Sequence, residues 1–324
     1  MPHLDKAQAI VQHILRHVAS PRRVPPGLNI APATKPLIVG ISGPQGIGKT
    51  TITNKLVSTL TGAPHNLRVF TFSMDDLYLP FKKQVELSQQ HPNNKLIEFR
   101  GLPGTHDMDL GADTFRSLCL VNQRLALTSE GEKQHDDGMN FVAVPSYDKA
   151  LNAGRGDQVP QSQWTRVEGP FDVVLFEGWS LGFESIRDPK ALEAAYYKHT
   201  PFPPFYLAQH SLASVEMVNR SLEAYEAAWY SYLDIFVHLS APNLEAVFKW
   251  RAEQEQELWA ARGTGMTEEQ VKEFVSRFMP AYELYLERLK TENIFKDAGG
   301  LSAGRHLRLD LDEDRELLST TLVE

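Results

Sequence analysis

The chain has 324 residues, 42% hydrophobic and 10% aromatic, with 20 Pro and 21 Gly: enough apolar residues for a sizeable core and too few breakers for a fibrous or disordered class. Thirty-three Lys and Arg against 41 Asp and Glu leave a net charge of −8, without the basic footprint of a duplex-DNA or anionic-membrane binder, although a local basic pocket remains open. Cys119 is the only cysteine, which excludes an intrachain disulfide and a cysteine-built zinc site.

In chain order, Leu4, Ile10, Val11, Ile14, Leu15 and Val18 fall at helical spacing, and the Pro-rich stretch Pro21 to Pro36 ends that helix, so residues 1–36 read as a helical appendage and linker. Residues 1–30 lack the apolar segment of a signal peptide, and no run reaches the ~18 apolar residues of a membrane span. The expected localisation is cytoplasmic. Arg16, Arg22 and Arg23 leave a mitochondrial alternative, against which Asp5 and the short stretch before the first strand argue.

Residues 37–324 read as one domain. Strands are expected at 37–41, 68–74, 141–145, 171–176, 235–239 and 307–311, and helices at 49–60, 112–127, 212–229 and 244–261. This alternation predicts an α/β fold with a parallel sheet and helices on both faces. The stretches 77–110 and 146–170 are too long for simple connections and are candidate substrate loops. Gly131 to Gly138 reads as a solvated acidic turn.

The strand at 37–41 is followed by Gly43-Pro44-Gln45-Gly46-Ile47-Gly48-Lys49-Thr50, which satisfies G-x-x-x-x-G-K-[ST] and runs with Thr51 into a helix. Glycines there let successive N–H groups face phosphate oxygens, Lys49 bridges the terminal phosphates, and the Thr50 hydroxyl suits Mg²⁺. A nucleoside triphosphate with Mg²⁺ is therefore expected. Phe171 to Phe176 leads into Glu177-Gly178-Trp179, placing a carboxylate where the metal shell of a phosphate-loop protein needs one, so Thr50 and Glu177 are the candidate metal residues. A guanine-reading switch needs Asn-Lys-x-Asp, yet Asn54-Lys55 and Asn94-Lys95 are both followed by apolar pairs. Phe72-Ser73-Met74-Asp75-Asp76-Leu77-Tyr78 instead ends the next strand in acids, and Asp75, with Asp76 as the alternative, is the candidate to take a proton from an acceptor hydroxyl.

Ser73 to Tyr78, with the phosphate loop and Phe176-Glu177-Gly178, resembles the uridine kinase, phosphoribulokinase and pantothenate kinase superfamily, whose base sits at the position of Asp75. Arg100-Gly101-Leu102-Pro103-Gly104-Thr105-His106-Asp107, Tyr147-Asp148-Lys149, Gly154-Arg155-Gly156-Asp157, Glu177 to Phe183, Trp250-Arg251-Ala252-Glu253 and Phe274 to Tyr282 are similar to the plant-type D-glycerate 3-kinase family and its fungal relatives. The resemblance runs from about residue 37 to the C-terminus. It implies a phosphate-loop kinase fold with a helical lid, about 243–265, and ATP with Mg²⁺ as phosphoryl donor. Two departures stand out: too little chain precedes Gly43 for a typical plant transit peptide, and Ala150 to Ala153 departs from the glycine-richer spacing of plant members.

The expected catalytic residues are Lys49, Asp75, Glu177 and Arg251. Asp76, Tyr78, Arg100, His106, Asp107, Tyr147, Lys149 and Arg155 are the expected acceptor-binding residues, with Arg or Lys suited to a carboxylate or phosphate handle. Lys249, Arg251 and Arg262 lie on or just beyond the helix after the 235–239 strand, either as lid cations or as solvated partners of Glu253, Glu255 and Glu257. Trp250 and Trp259 are expected to pack that helix, and Val271, Phe274, Val275, Phe278 and Tyr282 to form the core stripe of a helix kinked by Pro280. Cys119 reads as core. The expected activity is phosphoryl transfer from ATP to a hydroxyl of D-glycerate or a related small acidic acceptor. Nucleic-acid, membrane and obligate protein partners are not expected. The alternatives are a nucleoside or sugar-phosphate kinase of the same superfamily and a non-catalytic nucleotide-binding regulatory protein; Asp75 and Glu177 argue against the latter.

Overall fold

The computed structural model describes residues 5–129, 141–199, 205–263, 265–298 and 302–324. The expected turn at Gly131 to Gly138 and the side chain of Arg262 lie outside the described residues.

Helix α1 (Lys6–Val18) starts at Asp5, whose carboxylate accepts from Ala7 N, and buries Ile10 and Ile14 completely. Strand β1 (Leu37–Ser42) is buried throughout, and α2 (Lys49–Thr61) follows the phosphate loop. Then come β2 (Val69–Ser73), a 3₁₀ turn (Met74–Leu77), α3 (Phe81–Gln90) and α4 (Met108–Ser129). The middle of the chain holds β3 (Phe141–Val144), β4 (Tyr147–Asp148), β5 (Asp157–Gln158), β6 (Thr165–Glu168), β7 (Val173–Gly178), α5 (Pro189–His199) and α6 (Leu212–Ala228). It closes with β8 (Ile235–Ser240), α7 (Glu245–Arg262), α8 (Glu268–Ser276), α9 (Met279–Thr291), β9 (His306–Leu311) and β10 (Leu317–Val323).

The main sheet has the order β10-β9-β8-β1-β7-β2, parallel except for β10. Strand β1 is therefore central, and residues alternate between two cores: Ile38 with Val174, Phe176 and Phe236 on one face, Val39 and Ile41 with Leu175, Val237, α1 and α2 on the other. Cys119 is buried in the first core. The Pro-rich linker is locked to the sheet by Lys35, whose ammonium lies 2.5 Å from Asp234 with both side chains fully buried; Asp234 also accepts from Arg23 N and Ile38 N.

Three expectations are corrected. The strand at 141–145 does not join the parallel sheet but pairs antiparallel with β6 as a separate ribbon. The stripe from Val271 to Tyr282 belongs to two helices, and Pro280 stands in the first turn of α9, where a missing N–H costs no helical bond. Trp259 does not pack a core: it is 47% exposed, its indole donating to Met266 O. The antiparallel edge β10 carries few buried residues and escaped a reading based on apolar runs.

Candidate active site

The phosphate loop links β1 to α2 with Gly46 and Gly48 at φ of +80° and +95°, the left-handed region that glycine enters freely. Gly46 also lies where a Cβ would stand 2.5 Å from the Cβ of Trp250, which is itself fully buried. Helix α7 therefore packs directly on the loop. Gln45 N donates to the Tyr282 hydroxyl (3.1 Å), and the Arg315 guanidinium donates to Gly46 O (2.8 Å), over the ring of Trp250. Ile47 is buried beneath the loop, while Thr50 and Thr51 are exposed on the first turn of α2. Lys49 folds back to donate to Gly43 O (2.7 Å) and Pro44 O (3.2 Å). Burial pushes its ammonium below the usual lysine range, against the pull of Glu177 and Asp75.

Glu177 lies near the end of β7, in register with Ile41 on one side and Ser73 on the other. The carboxyl ends of three adjacent strands thus supply the phosphate loop, Glu177 and the acidic turn. In that turn Ser73 and Asp76 form a reciprocal cap: the Ser73 hydroxyl accepts from Asp75 N and Asp76 accepts from Ser73 N. Asp76 also accepts from Tyr147 N (3.4 Å), so its carboxylate holds backbone. Asp75 faces side chains instead, accepting from the Tyr78 hydroxyl (3.0 Å) and from Lys149 Nζ (2.5 Å). Burial pushes the Asp75 carboxyl up, but Lys149, aided by Lys49, outweighs it and holds the group below its ordinary range. Asp76 is pushed above the ordinary range by burial, which outweighs the Ser73 and Tyr147 N–H groups and the more distant Lys149.

The two long loops close over this acid. Leu79 N donates to Thr105 O and Asp107 N to Leu77 O, strapping 77–79 to 105–107. His106 stacks on Tyr78, centroids 4.3 Å apart. Gln158 donates to Tyr78 O, and Asp157 accepts from Phe81 N at the start of α3. Gly156, at φ +76°, leaves no room for a Cβ, which would meet Tyr147 at 2.3 Å.

Each expected acceptor residue finds a definite place. Lys149, Tyr78 and His106 gather around Asp75, and Tyr147 packs edge-on to Tyr78. Arg100 lies over the Tyr147 ring and donates to Gly154 O and Lys149 O, so it braces the loop that carries Lys149. Arg155 sits between the rings of Phe81 and Phe99, its guanidinium 5.3 and 5.2 Å from their centroids, and donates to Glu98 O. Asp107 caps the start of α4 through Leu110 N and pairs with Lys83. Arg251 lies beside the phosphate loop on α7, paired with Glu255 and stacked over Phe274; Lys249 pairs with Glu313 and Asp314. Of the proposed helix partners, Glu255 is realised for Arg251, while Glu253 takes Arg315. Sequence reasoning missed Tyr225 and Arg315, which reach the site from a distant helix and hairpin with no local motif, and read Tyr282 only as core.

Among the described residues no cluster of three or more His, Cys, Asp or Glu is arranged to hold a metal. The exposed Thr50 hydroxyl and the half-buried Glu177 carboxylate are the hard oxygen donors of the kind that Mg²⁺, which keeps several waters and leans on substrate phosphates, would use.

A central phosphate loop in a parallel sheet, with acids ending the two neighbouring strands in turn, defines a P-loop kinase fold. The chain belongs to the family of plant and fungal kinases that includes D-glycerate 3-kinase. It is 37% identical over 280 residues to the chloroplastic D-glycerate 3-kinase of Arabidopsis thaliana, a match covering 86% of this chain and 53% of that one, so it spans about half the length of the plant relative. It is 32% identical over 294 residues to the "Probable ATP-dependent kinase" of Saccharomyces cerevisiae, with 88% of each chain covered. The solved D-glycerate 3-kinase of Cryptococcus neoformans superposes with a TM-score of 0.81 at 32% identity, with 98% of each chain covered. No family model matches the chain.

Proposed function

We propose that this protein is an ATP-dependent kinase that transfers the γ-phosphate to a hydroxyl of D-glycerate or a related small hydroxy acid. The observation that carries the reading is the contact between Lys149 and Asp75: a cation suited to a carboxylate touches the candidate base at the mouth of a phosphate loop. The loop from Gly43 to Gly48, with Lys49, Thr50 and Thr51, receives the nucleotide phosphates on backbone N–H groups and the α2 N-terminus. Thr50 and Glu177 would hold Mg²⁺, which neutralises phosphate charge. Asp75 takes the proton of the acceptor hydroxyl as its oxygen bonds to the γ-phosphorus and the bond from that phosphorus to ADP breaks. Lys149 holds the acceptor carboxylate, Arg100 and Tyr147 brace its loop, and Arg155 fixes the neighbouring wall. Helix α7 is the lid element, and Arg251 is its contribution to charge on the transferring phosphoryl.

The names of the plant and cryptococcal relatives support glycerate as acceptor. A nucleoside acceptor fits worse, because a neutral ligand leaves Lys149 with only its acidic neighbour. The proposed setting is cytoplasmic and reducing, with a small-molecule acceptor and no nucleic-acid, membrane or obligate protein partner; the lone buried cysteine suits it, and no helix among the described residues is long and apolar enough to cross a membrane. The test is an acceptor screen read by ADP formation. Glycerate or another short hydroxy acid is expected to give the highest kcat/KM. Efficient phosphorylation of uridine, with no activity on hydroxy acids, overturns the acceptor assignment and leaves the kinase standing.

A further inference from the structure

His106 is 4% exposed, and its two ring nitrogens have unlike surroundings. Nδ1 lies 2.7 Å from the hydroxyl of Tyr225 on α6, while Nε2 has no partner. The same hydroxyl accepts the Gly104 N–H at 2.9 Å. Tyr225 is fully buried, and its phenol is pushed well above the ordinary range, so it keeps its single proton. That proton has one place to go. If the oxygen accepted from both Gly104 and Nδ1, its own O–H would be left buried and unpaired. Donated to Nδ1, it pairs all three groups and places the imidazole hydrogen on Nε2.

The remaining side of the site leads to Asp75. The His106 ring stacks on Tyr78, which donates to Asp75, and lies edge-on to Trp229, with centroids 5.7 Å apart. Burial pushes the imidazole down to about 3, with the charge of Asp75 pulling the other way, so the ring is neutral across the working pH range. A buried N–H without a partner, beside the group that must meet the acceptor, calls for an oxygen to be brought to it. The anchoring is rigid: Gly104, at φ +98°, approaches α6 so closely that a Cβ would stand 2.8 Å from the Ser221 hydroxyl.

We infer that Tyr225 is a positioning residue that fixes His106 as a neutral Nε2–H donor, and that this donor selects acceptors presenting an oxygen beside the hydroxyl to be phosphorylated. His106 is then neither a base nor a cation in this enzyme. The inference rests on the small-acceptor reading above for its kinetic consequence but not for the tautomer itself.

The test has two arms. In ¹⁵N-edited NMR of the full chain, with His106 assigned by comparison with His106→Gln, wild type is expected to show a neutral Nε2–H imidazole that does not titrate between pH 5 and 9. Tyr225→Phe is expected to lose that single tautomer. Kinetically, Tyr225→Phe should raise the KM of the best acceptor about tenfold while the KM for ATP stays within about twofold. His106→Gln, whose amide N–H can stand near the Nε2 position, should keep at least fivefold better acceptor KM than His106→Leu. A His106 that carries its hydrogen on Nδ1, or that titrates near neutrality, overturns the inference. So does equal acceptor KM in the Gln and Leu variants, which also decides the matter if Tyr225→Phe does not fold. The NMR arm uses no acceptor, so failure of the glycerate assignment leaves it intact.

Discussion

Replacing Lys149 with Met removes the ammonium and keeps most of the apolar stem. In the free enzyme the Lys149–Asp75 pair is partly open to water, the two side chains being 55% and 30% exposed, so its loss should cost folding stability no more than about 1 kcal/mol. Binding is different. A charge-assisted hydrogen bond to a carboxylate contributes about 1.5–3 kcal/mol, or roughly ten- to hundredfold in affinity. Because Lys149 is more than half exposed and must share itself with Asp75, the lower end applies, and the acceptor KM is expected to rise about tenfold with the KM for ATP unchanged. The base responds as well. Asp75 is held below its ordinary range against its own burial, chiefly by Lys149, so removing the cation raises the carboxyl. A base works deprotonated, and the acidic limb of kcat/KM should therefore move to higher pH in the variant. Initial rates over a pH series, with acceptor and ATP varied in turn, measure both effects. An unchanged acceptor KM together with an unmoved acidic limb would refute the assignment of both residues.

Lys49→Ala should lower turnover by at least a hundredfold with the thermal midpoint nearly unchanged; near-normal turnover by a folded variant would sink the phosphate-loop assignment. Asp75→Asn should abolish phosphoryl transfer while nucleotide affinity, measured calorimetrically with Mg²⁺·ATP, stays within about tenfold; loss of nucleotide binding would give Asp75 to the metal and reopen the base role for Asp76. Asp234→Ala strands a buried Lys35 and frees two backbone donors, a loss of about 3–5 kcal/mol. Thermal unfolding should show it as a drop of roughly 6–20 °C at about 2–4 °C per kcal/mol, and a drop under 2 °C contradicts the buried ion pair.

The phosphate loop, the strand-end Glu177 and the acidic turn were legible in the sequence because each is a short local pattern whose chemistry demands particular residues. The central strands were legible for a similar reason: a strand buried on both faces is a continuous apolar run, as 37–41 is. Strand β10 was hidden because most of its residues face solvent, and β3 was misplaced because local pattern does not say which partner a strand will take. The division of labour between Asp75 and Asp76 was beyond the sequence too. Both acids sit in one turn, and only the approach of Lys149 to one and of Tyr147 N to the other separates them. The guanidinium of Arg155 was invisible in the same way, since its aromatic neighbours Phe81 and Phe99 come from another loop.

The contacts of the phosphate loop with Trp250, Tyr282 and Arg315 bear on how the protein is made. The ribosome delivers Gly43 to Thr50 early, yet the side chains that hold the loop from outside arrive roughly two hundred or more residues later. A nascent chain that has emerged only as far as β7 therefore carries the nucleotide motif without the contacts of Trp250, Tyr282 and Arg315. Termination anywhere before Arg315 leaves a fragment that carries the motif but lacks part of its clamp.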